Sequence, residues 1–148
     1  MSLETIIAEC VSIAGTIPGI GVIHDHEVVV SNRKGLEDNF MSGGVINCLE
    51  IDRDSTPATR RTGRGTIRAH QIAFRFYHSL QEGLGSRATF RTLVETAEEV
   101  FRGQFNLNGV ALESGPFSIS IDAYIEKAGA PLHYAECAMP VKEFHHGK

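Results

Sequence analysis

The chain has 148 residues, a length that fits a single domain with one hydrophobic core. A hydrophobic fraction of 42%, a charged fraction of 22% and a net charge of -4 are typical of a globular protein, and they lack the basic excess of nucleic-acid or membrane-surface binders. No run of 18 apolar residues predicts a membrane span, and acidic Glu4 and Glu9 argue against a signal peptide.

The first third of the chain predicts two helices and one short strand. Apolar residues recur at helical spacing from Ser2 to Ala14, where Ser2 can cap the first turn and Gly15 can end the helix. A turn then leads to a short extended piece, Val22 to His24. A second, shorter helix is predicted over Lys34 to Met41.

The middle of the chain predicts two strands joined by a loop. Alternation of side chains indicates strands over Val45–Ile51 and Thr66–Leu80. The polar stretch between them, Asp52 to Gly65, has no apolar periodicity. It is therefore predicted to be a long exposed loop, disordered in the free chain.

The last third predicts a helix and two further strands. The helix covers Arg87–Arg102, with Ser86 as its N-cap. Strands are expected at Phe117–Ile125, with Phe117, Ile119, Ile121, Ala123 and Ile125 facing the core, and at Leu132–Val141. Residues 143–148 are predicted to be a polar tail.

These elements predict one α+β domain over residues 1–148. Consecutive strands pair most simply as hairpins, which gives a mostly antiparallel four-stranded sheet with the helices packed on one face. Three cysteines at wide spacing, without a C-x-x-C pair, favour buried thiols in a reducing compartment over disulfides or a zinc knuckle.

Charge singles out two sets of candidate assembly-interface residues. The predicted loop and its flank carry a cluster of arginines: Arg53, Arg60, Arg61, Arg64 and Arg68. The outer face of the third helix carries an acidic set: Glu95, Glu98 and Glu99. Arginine pairs well with carboxylates, so the loop is expected to reach a neighbouring subunit and contact such a face. A solvated loop and a nucleic-acid contact are the alternatives, and the absence of interleaved aromatic residues disfavours the second.

The sequence predicts neither catalytic residues nor a cofactor. No nucleophile motif or phosphate loop is present. His24 and His26 lie on one side of a strand, and His70, His78 or His133 would have to complete a metal site from separate strands. A metal-dependent hydrolase using His24 and His26 is kept as an alternative. Asp52 and Asp54 are expected to be neutralised by nearby arginines.

Scattered positions over most of the chain resemble the tail terminator, or tail completion, proteins of tailed bacteriophages and prophages. The matching segments are Ile17–Gly19, His24–His26, Thr66–His70, Phe74–Tyr77, Gly85–Ser86, Phe90–Glu95, Phe101–Arg102 and Leu132–Glu136.

The resemblance implies a structural protein without enzymatic activity. Such proteins form hexameric rings that bind the last ring of the tail tube, stop its polymerisation and present a docking surface for the neck and head. In contractile tails they also engage the sheath. The expected partners are thus copies of the chain, the tube protein, the sheath and the head–tail connector. The expected location is the virion tail end, after assembly in the bacterial cytoplasm. A neck or head-completion protein of the same virion is the alternative.

Overall fold

The computed structural model describes residues 2–80 and 85–146. Three helices and seven strands make up this part of the chain. In chain order they are α1 (Leu3–Ala14), β1 (Val22–His24), α2 (Arg33–Phe40), β2 (Met41–Ser42), β3 (Val45–Thr62), β4 (Gly65–Ser79), α3 (Ser86–Arg102), β5 (Glu113–Ser114), β6 (Ser118–Lys127) and β7 (Ala130–His146). Among the described residues, no helix is both long and apolar enough to cross a membrane.

The predicted four-stranded antiparallel sheet is wrong. The sheet has seven strands in the order β1-β3-β4-β7-β5, with β2 pairing β3 and β6 pairing β7. It is a mixed sheet, because β1 runs parallel to β3 while the other pairs are antiparallel. Two-residue strands such as β2 and β5 carry too little sequence pattern to be predicted.

The predicted loop from Asp52 to Gly65 is also wrong. Strand β3 continues to Thr62, and β4 begins at Gly65 after a turn at residues 63–64. The two strands stay paired to the Thr62–Gly65 pair. Strand β7 likewise continues past Val141 to His146, which pairs with Gly65, so residues 143–146 of the predicted tail belong to the sheet. Residues 147–148 lie outside the described range.

Helices α1 and α3 pack on one face of the sheet over the main apolar core. Phe74 on β4 lies at the centre of this core, with ring centroids 5.0 Å from Phe101 and 4.9 Å from Phe117. Ile6 and Cys10 of α1 close the other side, both fully buried. The predicted helices α1 and α3 and their apolar faces are therefore confirmed.

Helix α2 lies on the opposite face, so the prediction that all helices share one face is wrong. Leu36 and Phe40 of α2 join a second buried cluster with Cys48, Tyr77 and Leu132. Alternation along a strand puts Cys48 and Tyr77 on the face away from Leu49 and Phe76, which explains two cores on one sheet. The predicted Ser86 cap also differs, since the N-cap residue of α3 is Gly85, in a left-handed conformation.

Burial suppresses the chemistry of the three cysteines. Desolvation raises the pKa of Cys10, Cys48 and Cys137 to about 12 in each case, with smaller contributions from nearby carboxylates. Each thiol therefore stays protonated and behaves as a small apolar side chain at neutral pH.

Gly21 positions β1 against β3 and provides a test of the mixed sheet. A Cβ at Gly21 would lie 2.1 Å from the backbone oxygen of Asn47, so Gly21→Ala must push the two strands apart. We expect a loss of roughly 1–3 kcal/mol in the free energy of unfolding, measured by urea titration. Gly103→Ala is the control, because a Cβ there meets no atom within 4 Å and φ is -83°. Equal stability of the two variants would contradict the close β1–β3 approach.

Candidate assembly surfaces

The far end of the sheet is a three-stranded ribbon that carries the predicted arginines. It consists of β3 from Arg53, the turn at residues 63–64, β4 up to Gln71 and β7 from Pro140. We call it the arginine ribbon. Neither apolar cluster takes a residue from these stretches other than Val141. Most side chains of its β3 stretch are exposed and therefore available for polar contacts.

The five arginines are exposed but differ in their partners. Arg53 donates to the Thr56 hydroxyl at 3.4 Å, and Arg68 lies 4.0 Å from the carboxylate of Glu143. Arg60, Arg61 and Arg64 have no ion-pair partner in the part of the chain that the structure describes. A cavity of about 420 Å³ at the turn is lined by Arg61, Arg64 and neighbouring residues, a setting in which guanidinium groups can converge on an anion.

Glu143 ties the three strands of the ribbon together. Its carboxylate is fully buried and contacts His70 Nε2 at 3.3 Å on β4 and the His145 imidazole on β7. His70 Nδ1 pairs with the Thr56 hydroxyl of β3 at 2.8 Å. Thr56 lies where the β3–β4 register shifts, so the bulge and this network occur together. A buried carboxylate is tolerated only with such partners.

The predicted acidic face of α3 does not meet the arginine ribbon within the chain. Glu98 pairs with Arg102 of the same helix at 3.0 Å. Glu95 and Glu99 are exposed and have no ion-pair partner among the described residues. Both predicted sets therefore remain open to contacts with another molecule.

Asp52 and Asp54 differ from the prediction in their partners. Asp54 pairs with an arginine, but with Arg75 at 3.7 Å instead of a loop arginine. Asp52 accepts hydrogen bonds from the backbone of Glu27 at 3.1 Å and of Arg53 at 2.8 Å. Asp52 thus fastens the segment before α2 to the edge of β3.

The histidines are distributed over separate sites. The rings of His24 and His26 lie 6.0 Å apart, but His24 bonds the Asn39 carbonyl and His26 bonds Asp25. His70 lies in the Glu143 network, while His78 and His133 adjoin Phe90 of α3. Within residues 2–80 and 85–146, no group of three or more His, Cys, Asp or Glu side chains is arranged to hold a metal ion.

Strand β6 is an exposed edge that the sequence did not reveal. Its apolar residues were predicted to face the core, yet Ile119 is 37% exposed and Ile121 42% exposed. A bulge at Ser120 shifts the alternation between these two residues, so no single face is buried. Tyr124 is 59% exposed and packs under the guanidinium of Arg87, which also binds Asp122 at 2.8 Å.

A scan against protein-family models and a search of the curated proteins each find no match for this chain.

Loss of Glu143 is expected to loosen the ribbon. Glu143→Ala removes the acceptor of the buried His70 imidazole and the anion shared with His145 and Arg68, and we expect a cost of about 1–3 kcal/mol in the free energy of unfolding. Glu113→Ala is the control, since Glu113 is 63% exposed and pairs only with Lys142, which predicts well under about 1 kcal/mol. Denaturant titration measures both variants. Equal losses in the free energy of unfolding would contradict a stabilising role for the Glu143 network.

His133 is expected to make stability depend on pH. Burial, followed by the charges of Arg87 and His78, lowers the pKa of His133 below its ordinary value of 6.5. As the pH falls below that value, the unfolded chain takes up this proton more readily than the folded chain, so stability falls.

His133→Gln keeps a polar partner for Ser86 but cannot titrate. Its free energy of unfolding should therefore fall less than that of the parent chain between about pH 7.5 and about pH 5.5. If the free energy of unfolding of His133→Gln falls with pH as steeply as that of the parent chain, the lowered pKa of His133 is contradicted.

Proposed function

We propose that this chain is a structural virion protein of a tailed bacteriophage or prophage. It forms a ring at the end of the tail, caps the tail tube and joins it to the neck and head. The resemblance of scattered residues to tail terminator proteins suggests the function. The observation that carries the proposal is that the arginine ribbon is positive while the rest of the chain is negative. This distribution favours contact between the ribbon of one copy and the body of the next.

The arginine ribbon and the rest of the chain have opposite net charges. Residues 58–69 contain four arginines and no acidic residue, so they contribute +4 to a chain whose net charge is -4. The rest of the chain therefore carries -8. Ribbons of two copies repel each other, whereas a ribbon and the body of another copy attract.

Attraction between unlike surfaces gives head-to-tail contacts. Such contacts are heterologous, and they close into a ring when the rotation between neighbours divides a full turn. Surfaces that instead pair with themselves give a two-fold dimer. The charge separation therefore supports a ring over a dimer.

A closed ring performs the proposed function by binding alone. One face of the ring matches the last ring of the tail tube, and the other face offers no site for a further tube ring, so polymerisation stops. That second face receives the neck or head–tail connector, and in contractile tails the rim contacts the sheath. Assembly takes place in the bacterial cytoplasm, and the ring stays in the virion.

Charge reversal on the ribbon should prevent ring formation. We expect the parent chain to form a multimer of about six copies, alone or with tube protein, in size exclusion coupled to light scattering. The triple variant Arg60→Glu, Arg61→Glu, Arg64→Glu should elute as a monomer. Raising the salt from roughly 0.05 M to roughly 0.5 M should weaken the parent ring, because screening shortens electrostatic range.

A charge-matched variant controls for net charge. Arg33→Glu with Lys34→Glu, matched to Arg60→Glu with Arg61→Glu, reverses two exposed cations away from both candidate surfaces and should leave the multimer intact. A parent chain that stays monomeric at high concentration, both alone and with tube protein, would sink the proposal. Labelled particles with the chain at the head side of the neck would assign it instead to head completion.

A further inference from the structure

The sheet has two exposed edges, and they lie on opposite sides. Among the strands that the structure describes, β6 pairs only with β7. On the other side, β1 and β2 cover β3 only at residues 45–46 and 48–50, so β3 beyond Asp52 pairs only with β4. Exposed edges of this length are templates for pairing with another chain.

The geometry of the β6–β7 turn shows which backbone groups of β6 point outward. Lys127 pairs with Ala130 across a two-residue turn, where Ala128 and Gly129 both have positive φ (51° and 79°). Such a turn makes the flanking pair a hydrogen-bonded one, and bonded and non-bonded pairs then alternate. The backbone groups of Glu126, Tyr124 and Asp122 therefore point away from β7.

Pro131 agrees with this assignment. It lies opposite Glu126, in a pair that needs no hydrogen bond, and proline has no N–H to donate. Asp122, Tyr124 and Glu126 each present both the backbone N–H and the C=O away from β7, and together they form a regular edge for another strand. No described strand occupies that edge.

The outer part of β3 offers one regular stretch of matching length. Register shifts disrupt it between Arg53 and Ala58, where Pro57 also lacks an N–H. From Ala58 to Thr62 the pairing with β4 is regular, over about 17 Å at strand geometry. The proline and the register shifts prevent another strand from pairing along Arg53–Pro57, whereas Ala58–Thr62 remains open to such pairing.

The two edges also carry opposite unpaired charges. Beside β6, Glu126 and Glu95 have no ion-pair partner among residues 2–80 and 85–146, whereas Asp122 is bound by Arg87 at 2.8 Å. Glu95 and Asp122 line a cavity of about 320 Å³ next to the strand, together with Ile119 and with Arg91, which lies 3.9 Å from the Asp122 carboxylate. On the outer stretch of β3, the charges without a partner are Arg60 and Arg61. Two β6 edges therefore repel each other, as do two β3 edges, whereas a β6 edge and a β3 edge attract.

We infer that β6 of one copy pairs with Ala58–Thr62 of the next copy, so that the sheet continues from subunit to subunit. This inference rests on the proposed ring and names its contact surface. Main-chain hydrogen bonds join the strands, while Arg60 or Arg61 of one copy meets Glu95 and Glu126 of the other. The exposed Ile121 and Tyr124 are covered in the same contact.

A proline at Glu126 tests the edge without altering β7. Glu126→Pro removes an outward N–H from an exposed residue in a non-bonded pair, where proline is tolerated. We expect loss of the multimer, with an unfolding transition like that of the parent. Glu126→Gln removes the charge but keeps the N–H, and it should still form the multimer with weaker affinity. If the proline variant does not fold, Glu95→Lys with Glu126→Lys reverses the charges on an intact backbone and should give the same loss.

Mixing two blocked variants gives the sharpest test. Glu126→Pro keeps the β3 edge, and Arg60→Glu with Arg61→Glu keeps the β6 edge, so each variant alone should be monomeric. Together they share one intact contact and should form a one-to-one dimer, with twice the single-chain mass of 16.2 kDa and nothing larger. A mixture that stays monomeric, although both variants are folded, would overturn the inference.

The outcomes separate this inference from the proposed function. Rings that survive both Glu126→Pro and the charge reversal at Glu95 and Glu126 would overturn the edge pairing and leave the ring proposal standing. A parent chain that never forms a multimer, alone or with tube protein, would overturn both. Protection of the β6 amides from hydrogen exchange, seen only in the multimer, would support the pairing directly.

Discussion

The full-length pairing of β4 with both β3 and β7 is the constraint on which the rest of the structure depends. Every residue of β4 from Gly65 to Ser79 has a partner on β7, and most have one on β3. The helices cover only the part of this three-stranded unit that contains Ile72, Phe74 and Phe76. The remaining part extends beyond the core as the arginine ribbon, and the sheet's hydrogen bonds maintain its direction.

A ribbon outside the apolar core needs another source of cohesion, and Glu143 supplies it. Side chains from β3, β4 and β7 meet at this one carboxylate or at the histidine bound to it. Burying a charge is costly, but the cost falls when several donors surround it. Arg60, Arg61 and Arg64 at the tip have no ion-pair partner among the described residues. Glu143 and its partners thus stabilise the ribbon, and different residues remain free for the proposed contact with another copy.

The parts of the fold that follow from local periodicity were predicted well. α1, α3, the Phe74–Phe76 stretch and the buried side of β7 have strong one-sided patterns, and the structure confirms them. The ribbon could not be found this way, because strands exposed on both faces have no apolar alternation. The polar composition of Asp52–Gly65 and its lack of apolar periodicity predicted a loop, yet pairing of β3 with β4 overrides these local preferences.

The candidate surfaces were only partly predictable for a related reason. Charge is visible in a sequence, so the arginine set, Glu95 and Glu99 were identified correctly as exposed groups, whereas Glu98 is half-buried and paired with Arg102. The β6 edge was missed, because Phe117 to Ile125 alternates like a half-buried strand. A bulge is a backbone feature, and the one at Ser120 shows no signature in the side-chain pattern. Glu143 was missed because acidic residues are rarely buried, and only its tertiary partners reveal it.

Because Asp52–Gly65 is paired in the sheet and is not a disordered loop, association of copies has a smaller entropic cost. Ordering a flexible backbone costs about 1–2 kcal/mol per residue, so a disordered Asp52–Gly65 segment would oppose association by more than a typical contact gives back. In the folded chain, pairing with β4 has already met that cost. A few charge-assisted contacts and main-chain hydrogen bonds then suffice to join copies. Closure into a ring, in which every copy makes two such contacts, then adds to the stability that one contact gives to a pair of copies.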